Sequence, residues 1–537
     1  MVGKSVINME KLRLGSRLRV GALMGVLTAT FLSASGPQAL QEQIYFPSHD
    51  NAEAAILAKI QAETVRLDIA LWLLGDGYLT NAIIAKWQSG VPVRVIGDRD
   101  SIFESDPNTR ISFERLASAG VPIRLRYNPT WFPEIVHWKY GGFTGQGGAF
   151  IGSGNWTTFE LTPVNDTNFK DETEMYTNDP AIVNALRTKF DQMWADTTSE
   201  PREMFGLQPP YFLDWPDAYI RETGIDWRSA CPARVPGAPC PAMTIPHGRL
   251  EPDYPTDALV WGQGTEIVTA MINEINAEPV GGAIDVVSYR LTVPSLTQAL
   301  IDRKNAGVPV RLFIEPTQYR SDAFPEYWLV GNEADKLWVA GIPIKIRTHD
   351  GLTHMKTLIT SRSALLASSN YTKNWQRDHN YFIQLATKPT LYFQMKNEFN
   401  RMWNDTVHYT DFRPLPPQPV SLKTPAAGDA NVSTTPTLTW YRTPWAVAFD
   451  VYLGTTPSSM SKIATASAVL SEDPPLTYSY AINQPLAPFT TYYWKVVSRT
   501  FATDLNPALV ASPSTLSFTT GRAVPPPLNL RIVSTAR

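Results

Sequence analysis

The feature that most constrains the fold is an internal repeat, in which many equivalent positions lie 217 residues apart, with short insertions and deletions between them. In each copy an apolar strand-like run, Leu67–Leu71 or Ile284–Ser288, precedes a helix-like stretch and a second run that begins Gly-Val-Pro-Val, at Gly90 and Gly307. A strand, a helix and a second strand in this order form a βαβ unit, which places parallel strands in a covered sheet. The repeat therefore predicts an α/β fold with two homologous lobes.

The repeat also carries a matched set of polar residues. In each half a His and a Lys stand two positions apart, and a small-residue turn that ends in Asn follows after a second strand-like run. On a strand, this spacing puts the His and Lys side chains on the same face. If the halves pack about a pseudo-twofold axis, one pocket receives both sets: His137, Lys139 and Asn155, with His354, Lys356 and Asn370.

Such a set suits the cleavage of a phosphodiester. Lys and Asn side chains stabilise the non-bridging oxygens of the phosphate. One His can attack phosphorus while the other donates a proton to the leaving oxygen. No group of residues with metal-ligand spacing stands near the motifs, so we expect this chemistry to need no metal or other cofactor.

These motifs resemble the signature of the phospholipase D superfamily, His-x-Lys-x4-Asp followed by Gly-Ser-x-Asn. The resemblance covers about residues 42–406. It implies a duplicated, two-lobed αβα core with a pseudo-twofold active site. It also implies that the two histidines are catalytic and the two lysines bind phosphate. The asparagines of the signature correspond to Asn155 and Asn370, with Ser153 and Ser368 beside them.

The chain departs from this signature at its acidic position. Thr144 stands there in the first half and Ser361 in the second. In the superfamily this Asp mainly supports the geometry of the motif. Its absence from both halves therefore predicts weaker activity, while the active site itself is kept.

The two halves also differ in the acid that is expected to orient a catalytic histidine. The first half has Glu174 at the place of the superfamily's Asn-x-Glu strand, and the second half has Asn380 there. An acid that holds the imidazole fixes its tautomer. We therefore predict that Glu174 supports His137 as the nucleophile, and that His354 protonates the leaving oxygen.

Other residues near the motifs have structural interpretations. Asp68 and Asp285 are predicted to form structural pairs at the first strand of each repeat, and His379 to lie behind the second motif. Four tryptophans are interpreted either as rim packing or as a surface for a base, a sugar or a lipid: Trp131, Trp138, Trp156 and Trp375.

The N-terminus has the order of a secretory signal. Basic residues precede the apolar run Val20–Leu32, and small residues follow it. The run is shorter than the roughly 20 residues that a membrane-spanning helix needs. We therefore predict a signal peptide at 1–40 and a secreted or periplasmic protein, with an uncleaved membrane anchor as the alternative.

The repeat also sets the predicted domain boundaries. The first lobe covers 41–205 and the second 246–412, with a crossover loop at 206–245. This loop contains the only cysteines of the chain, Cys231 and Cys240. A disulfide between them is the prediction for an exported protein.

The segment after the second lobe has a different character. A Pro-rich linker at 413–422 precedes short alternating runs at 423–521, a pattern typical of an all-β sandwich. Trp440 and the run from Leu486 to Tyr492 resemble the buried tryptophan and the tyrosine corner of fibronectin type III domains. The last residues, 522–537, are interpreted as a tail or the start of a truncated module.

We interpret the chain as an exported phosphodiesterase of the phospholipase D type, acting through a phosphohistidine intermediate. A phospholipid is the favoured substrate, because a net charge of −3 is unusual for a protein that binds nucleic acid by bulk electrostatics. Two alternatives stay open: a nuclease or nucleotide phosphodiesterase of the same superfamily, and a catalytically degenerate protein that binds a surface. We expect a monomer, whose C-terminal domain contacts a membrane surface or a polysaccharide.

Overall fold

The structure is a computed structural model, and the part described here excludes several segments. The predicted signal peptide up to residue 38, Trp131, both cysteines and the tail from residue 523 lie outside the described residues, so the predictions about them stay predictions. Within the described part, no helix is both long and apolar enough to cross a bilayer. The structure describes residues 39–127, 134–195, 212–227, 259–262, 266–321, 325–372, 375–471, 473–505 and 513–522.

Lobe 1 is built on an eight-stranded sheet with the order β1-β9-β7-β6-β2-β3-β4-β10. A π-helical turn at Ser101–Ser105 precedes its third helix. The strands of lobe 1, of which β5 and β8 lie outside this sheet, are β1 (Glu42–Tyr45), β2 (Leu67–Leu71), β3 (Val93–Asp98), β4 (Ile123–Arg126), β5 (Glu134–Val136), β6 (Lys139–Phe143), β7 (Gly148–Gly152), β8 (Lys170–Asp171), β9 (Glu174–Thr177) and β10 (Phe212–Asp214). Its helices are α1 (Ala52–Ala62), α2 (Gly77–Gln88), α3 (Pro107–Ser118), α4 (Thr158–Leu161), α5 (Pro180–Ala195) and α6 (Trp215–Thr223).

Lobe 2 repeats this arrangement with the order β11-β18-β17-β16-β12-β13-β14-β19. Its strands are β11 (Leu259–Gly262), β12 (Ile284–Ser288), β13 (Val310–Ile314), β14 (Ile344–Arg347), β15 (Leu352–Thr353), β16 (Thr357–Ile359), β17 (Ser363–Ala367), β18 (Trp375–Gln384) and β19 (Tyr409–Asp411). Its helices are α7 (Glu266–Asn276), α8 (Pro294–Asn305), α9 (Pro316–Tyr319), α10 (Pro325–Val339) and α11 (Pro389–Asn404).

The parallel centre of each sheet confirms the predicted βαβ units. Strands β2, β3 and β4 are parallel in lobe 1, and β12, β13 and β14 are parallel in lobe 2. The repeated Gly-Val-Pro-Val follows the second helix of each lobe, where Gly90 and Gly307 have φ values of 89° and 93°. Only glycine adopts this backbone conformation without strain, so it ends the helix and turns the chain into the next strand.

The crossover segment contains more regular structure than the prediction of a loop at 206–245 allowed. Phe212–Asp214 pairs antiparallel with β4, and α6 follows directly. Apolar side chains explain this, since Phe212, Trp215 and Tyr219 are all buried against lobe 1. The corresponding edge of lobe 2 is covered by β19, which pairs with β14.

Each lobe has a buried acid on its first parallel strand, as predicted. Asp68 accepts a hydrogen bond from Arg94 Nε at 2.7 Å, and Asp285 accepts one from Arg311 Nε at 2.7 Å. Lys396 also donates to Asp285. Both aspartates are buried, so these ion pairs serve the packing of sheet against helix rather than catalysis.

Two short parallel strand pairs join the lobes. In one, β5 of lobe 1 pairs with β18 of lobe 2, and Val136 lies opposite Arg377. In the other, β8 of lobe 1 pairs with β15 of lobe 2, and Asp171 lies opposite Thr353. A hydrophobic cluster with residues from both lobes surrounds these pairs, so the backbone around the two motifs is set by contacts between the lobes.

The C-terminal region forms two β-sheets, which confirms the predicted all-β sandwich. A three-stranded sheet has the order β20-β22-β25, and a five-stranded sheet the order β21-β27-β26-β23-β24. The strands are β20 (Leu422–Thr424), β21 (Asp429–Val432), β22 (Thr437–Tyr441), β23 (Ala448–Gly454), β24 (Ser461–Ser467), β25 (Thr477–Ala481), β26 (Thr491–Arg499) and β27 (Thr515–Thr520).

Two features of this sandwich fit the fibronectin type III resemblance, which stays a prediction. Trp440 is fully buried in the core between the sheets. The hydroxyl of Tyr492 accepts a hydrogen bond from the backbone N–H of Ala487 at 3.1 Å. A tyrosine bonded to the backbone a few residues upstream is the arrangement of a tyrosine corner.

We expect Asp285→Ala to destabilise lobe 2 strongly. The change leaves the cations of Arg311 and Lys396 without their buried partner, which costs about 3 kcal/mol of unfolding free energy. Urea denaturation followed by circular dichroism measures the loss. Asp302→Ala, on the exposed side of α8, is the control and should change the unfolding free energy by less than about 0.5 kcal/mol. Equal effects of the two substitutions would contradict the role of the buried pair.

Candidate active site

The His and Lys of each motif lie at the junction between the lobes. His137 follows β5 and Lys139 begins β6, while His354 follows β15 and Lys356 precedes β16. All four side chains are at least nine-tenths buried. Lys139 Nζ lies 3.1 Å from His137 Nε2 and donates to the His137 carbonyl at 2.7 Å, and Lys356 Nζ donates to the His354 carbonyl.

The imidazole of His137 faces lobe 2. Its Nδ1 lies 3.1 Å from the carbonyl oxygen of Ser368, and 3.8 Å from Oδ2 of Asp378. A carbonyl oxygen can only accept, so Nδ1 carries the hydrogen of this bond. The lone pair of neutral His137 is therefore on Nε2.

The imidazole of His354 faces lobe 1 in the same way. Its Nδ1 lies 2.5 Å from Oε1 of Glu172, whose other oxygen accepts a hydrogen bond from Ser153 Oγ at 2.5 Å. In lobe 2, Ser369 Oγ donates to Asp378. Each histidine thus has a carboxylate of the opposite lobe at Nδ1, and each carboxylate is held by a serine of its own small-residue turn.

The strand pairs between the lobes explain this exchange of acids. Extending the β5–β18 register by one residue brings His137 opposite Asp378. Extending the β8–β15 register by one residue brings His354 opposite Glu172. The same backbone geometry therefore acts twice, once for each histidine.

This arrangement corrects the predicted pairing of Glu174 with His137. Glu174 Oε1 instead accepts the backbone N–H of Gly154 at 2.8 Å, so this acid supports the turn before Asn155. Asn380 lies at the equivalent place in lobe 2, where its amide donates to the Val260 carbonyl. The prediction that only the first half supplies an acid to a catalytic histidine is also wrong. The acids that face the histidines stand two positions earlier than Glu174 and Asn380, at Glu172 and Asp378.

A second repeated acid, which the sequence did not reveal, holds the backbone just before each histidine. Asp98 accepts the N–H of Val136 at 2.7 Å, and Glu315 accepts the N–H of Thr353 at 2.8 Å. Both acids end the second parallel strand of their lobe and both are buried. Their spacing of 217 positions is the signal that could have found them.

Both asparagines lie buried on the small-residue turns. The amide of Asn155 donates to Oε2 of Glu160 at 2.8 Å, and the same oxygen accepts the Asn155 backbone N–H. This oxygen lies 3.9 Å from His354 Nδ1. Asn370 is buried at the equivalent turn of lobe 2. Sequence analysis missed Glu160, because nothing in the repeat matches it.

Among the described residues, one cluster has the donor atoms of a cation site. Ligand atoms of Glu160, Glu172 and His354 lie within 4.8 Å of one another. Each of the three already has a protein partner: Asn155 donates to Glu160, Ser153 donates to Glu172, and His354 contacts Glu172. The geometry thus accounts for this cluster as a hydrogen-bonded support of His354.

Burial dominates the electrostatics of the site. Burial, followed by the charges of nearby lysines, lowers the pKa of His137 and of His354 well below the ordinary value. Burial also lowers the pKa of Lys139 to about 8 and that of Lys356 to about 7. Conversely, burial raises the pKa of Glu172, and it raises that of Asp378 to about 7. Burial in one pocket thus shifts the pKa of each of these groups in the direction that favours its uncharged form.

Comparison with known proteins identifies this duplicated site. A family model described as "Cardiolipin synthase, PLD-like domain" matches residues 56–194 and 271–403, which together make up half of the chain. The matched segments contain both histidines, both lysines and both asparagines. The chain belongs to the phospholipase D-like family.

Solved structures similar to this phospholipase D-like chain have low sequence identity. A polyphosphate kinase from Porphyromonas gingivalis shares 14% identity over 70% of this chain and 49% of its own, with a TM-score of 0.44. A phosphatidylserine synthase from Haemophilus influenzae shares 13% identity over 69% and 87%, with a TM-score of 0.47. Nuc, a phospholipase D family member from Salmonella typhimurium, shares 19% over 29% and 94%, with a TM-score of 0.25. The chain spans about half the length of the polyphosphate kinase. No curated protein matches it.

The positions of the missing signature Asp lie at the turns after the two motif strands. Ser361 donates its backbone N–H and its hydroxyl to Glu278, with both the N–H···Oε1 and the Oγ···Oε2 distances at 3.0 Å. In lobe 1, Glu63 accepts the backbone N–H of Gly145 at 2.9 Å, next to Thr144. Both glutamates follow the first helix of their lobe and are fully buried. A carboxylate from that helix thus holds each turn of this phospholipase D-like fold, although the turn itself has no acid.

The tryptophans near the motifs divide into two groups. Trp138 and Trp156 are fully buried, which favours the packing interpretation for these two. Trp138 donates to Nδ1 of His379, which is itself buried, so the contact of His379 described here is with the first motif. Trp131 and the side chain of Trp375 lie outside the described residues.

The aromatic rings beside the histidines are others that sequence analysis missed. Trp72 lies 5.8 Å from the His137 ring, and Tyr289 lies 4.5 Å from the His354 ring, between ring centroids. These residues are 217 positions apart, at the end of the first parallel strand of each lobe. Both are half-buried, so each forms part of the wall of the active-site pocket next to its histidine.

We expect Glu172→Gln to lower kcat by about 10²- to 10⁴-fold with little change in KM, because an uncharged partner no longer stabilises protonated His354. The matched control is Glu174→Gln. Burial, together with the charge of Glu172, raises the pKa of Glu174 well above the ordinary value, so glutamine mimics its protonated form. Steady-state kinetics on bis(p-nitrophenyl) phosphate compares the two variants. A larger loss in the Glu174 variant would contradict the assignment.

Proposed function

We propose that this protein is a phospholipase D-type phosphodiesterase that hydrolyses a phospholipid through a phosphohistidine intermediate. The observation that carries the proposal is the pair of histidines at one junction, each with a lysine beside it and an acid of the opposite lobe at Nδ1. A single such histidine is commonly structural. Two that repeat with all their partners form the nucleophile and the acid that in-line displacement requires.

In the first step His137 is the nucleophile. Its Nε2 lone pair attacks phosphorus, forming the N–P bond while the bond to the leaving oxygen breaks. Hydrogen bonding of Nδ1 to the Ser368 carbonyl keeps this lone pair on Nε2. The lowered pKa of His137, which burial causes, keeps the ring neutral.

His354 protonates the leaving oxygen from Nε2 in the same step. Glu172, at 2.5 Å from Nδ1, stabilises the imidazolium form, so this histidine carries the proton more readily than its buried surroundings alone would allow. In the second step water attacks phosphorus and gives its proton to His354. The N–P bond breaks, and its electron pair returns to His137 Nε2.

The lysines and asparagines would bind the non-bridging oxygens throughout. Lys139 and Lys356 are buried, and a buried cation next to a phosphate gains more electrostatic energy than one in water. The proposed mechanism does not require the missing signature Asp, because Glu63 and Glu278 hold the two turns where this Asp would stand. This supports an active enzyme over a degenerate binding protein.

A phospholipid is our choice of substrate for two reasons. The net charge of −3 makes nucleic acid binding by bulk electrostatics less favourable. The predicted export signal would also bring the enzyme to extracytoplasmic membranes. A nuclease of the same family is the second outcome that the assay below must separate.

The proposal is tested by assaying the purified chain, with chelator present, on phosphatidylethanolamine vesicles, single-stranded DNA and bis(p-nitrophenyl) phosphate. We expect headgroup release from lipid, abolished by His137→Ala and by His354→Ala. In rapid-quench experiments with bis(p-nitrophenyl) phosphate, whose leaving group departs without an acid, His354→Ala should accumulate phosphohistidine, and His137→Ala should not. Cleavage of DNA without lipid would identify a nuclease, and inertness of the wild type on all three substrates would mean a degenerate protein.

The pH dependence follows from the shifted pKa values. Protonated His354 is the acid, and burial lowers its pKa well below the ordinary value, so the fall of kcat/KM with rising pH should begin below neutrality. Both lysines must also be protonated to bind phosphate, so kcat/KM should fall further as the pH passes about 7 and 8, the values to which burial lowers the pKa of Lys356 and of Lys139. His137 must be neutral, and because its pKa lies below 6.5, the acid limb lies below that pH. Lys356→Arg, which stays charged, should move the alkaline limb upward. Activity that still rises at pH 9 would contradict this account.

A further inference from the structure

The two lobes repeat almost every group near phosphorus, but they differ in charge at one position of the pocket wall. Leu73 in lobe 1 corresponds to Arg290 in lobe 2, at the 217-residue spacing. The backbone confirms that they are equivalent. The Leu73 carbonyl accepts the N–H of Trp156, and the Arg290 carbonyl accepts the N–H of Tyr371 at 3.0 Å. Tyr371 directly follows Asn370, so Arg290 lies against the motif turn of lobe 2.

The side chain of Arg290 is held in place by uncharged groups, so its positive charge is not neutralised by these contacts. Its Nε donates to Gln318 Oε1 at 2.9 Å, and its guanidinium lies 4.1 Å from the centroid of the Tyr327 ring. Gln318 in turn donates to the hydroxyl of Tyr289, the ring beside His354. These contacts fix the orientation of the guanidinium with aromatic and amide groups, none of which is charged.

Arg290 differs in this respect from the other arginines around it. Arg311, Arg320 and Arg347 each pair with a buried carboxylate, at N···O distances of 2.7, 3.3 and 2.8 Å. For Arg290, no carboxylate of the described residues lies within ion-pair distance. Its charge nevertheless reaches the site, since it contributes to lowering the pKa of Lys356. A half-buried, oriented guanidinium that pairs with no carboxylate of the described residues is a binding group for an anion.

We propose that Arg290 binds a negative charge on the leaving group of the substrate, in addition to the phosphodiester itself. This inference rests on the proposed function, in which His354 protonates the leaving oxygen. The headgroup therefore departs along the lobe 2 wall, where Arg290 and Tyr289 stand. The corresponding wall of lobe 1 offers Trp72 and Leu73, which suit apolar parts of the substrate. The preferred substrate class is then a phospholipid whose headgroup carries a carboxylate or a second phosphate.

The test compares two short-chain lipids below their micelle concentrations, so that membrane surface charge plays no part. Phosphatidylserine and phosphatidylethanolamine differ only by the headgroup carboxylate. We expect the wild type to favour the serine lipid in kcat/KM, and Arg290→Ala to lower this value by about 10- to 100-fold on the serine lipid and less than about threefold on the ethanolamine lipid. Arg290→Lys should restore part of the preference. Arg442→Ala, in the C-terminal sandwich, is the matched arginine control and should change neither value.

Other outcomes would overturn the inference in distinguishable ways. Equal losses on both lipids and on bis(p-nitrophenyl) phosphate would make Arg290 a general phosphate-binding group. Unchanged kinetics in Arg290→Ala would mean that it contacts no substrate. Turnover of bis(p-nitrophenyl) phosphate but of neither lipid would refute the headgroup site together with the lipid assignment, while the phosphodiesterase chemistry stands. In that case the test is whether the enzyme prefers 5′-phosphorylated over unphosphorylated dithymidine monophosphate. A preference that is lost in Arg290→Ala would mean that Arg290 binds a phosphate of a nucleic acid instead.

Discussion

The active-site geometry depends on one interaction, the contact of each histidine with a carboxylate from the opposite lobe. Neither lobe alone contains a histidine with its acid, because His137 faces Asp378 and His354 faces Glu172. The strand pairs β5–β18 and β8–β15 impose this contact through backbone register. Association of the lobes and assembly of the site are therefore the same event.

Burying so many charges at one junction is costly unless each is paired or neutralised. The protein does both. Serines and backbone N–H groups hold the acids, as in the bonds from Ser153 to Glu172 and from Val136 to Asp98. Burial also shifts the histidines, lysines and acids toward their neutral forms. For His137 the neutral form is the one whose lone pair can attack phosphorus in the proposed mechanism.

A duplicated site has a pseudo-twofold axis, yet a substrate with two unlike ends needs a direction. The residues nearest phosphorus keep the symmetry, and the wall breaks it. Trp72 and Leu73 line one side, whereas Tyr289 and Arg290 line the other. Selection for one orientation of the substrate would act on such positions without disturbing the paired histidines.

Much of this protein could be predicted from its sequence. Periodic apolar runs and the 217-residue repeat determined the two α/β lobes, the matched His, Lys and Asn set and the structural role of Asp68 and of Asp285, because these depend on local pattern and duplication. The partners of the histidines could not be predicted, and Glu174 was the wrong choice. Which acid meets which imidazole depends on the register of strands far apart in the chain, so only the tertiary structure decided it. The same holds for the strand at Phe212–Asp214, which forms by pairing with β4. It also holds for Arg290, whose importance lies in having no carboxylate partner among the described residues.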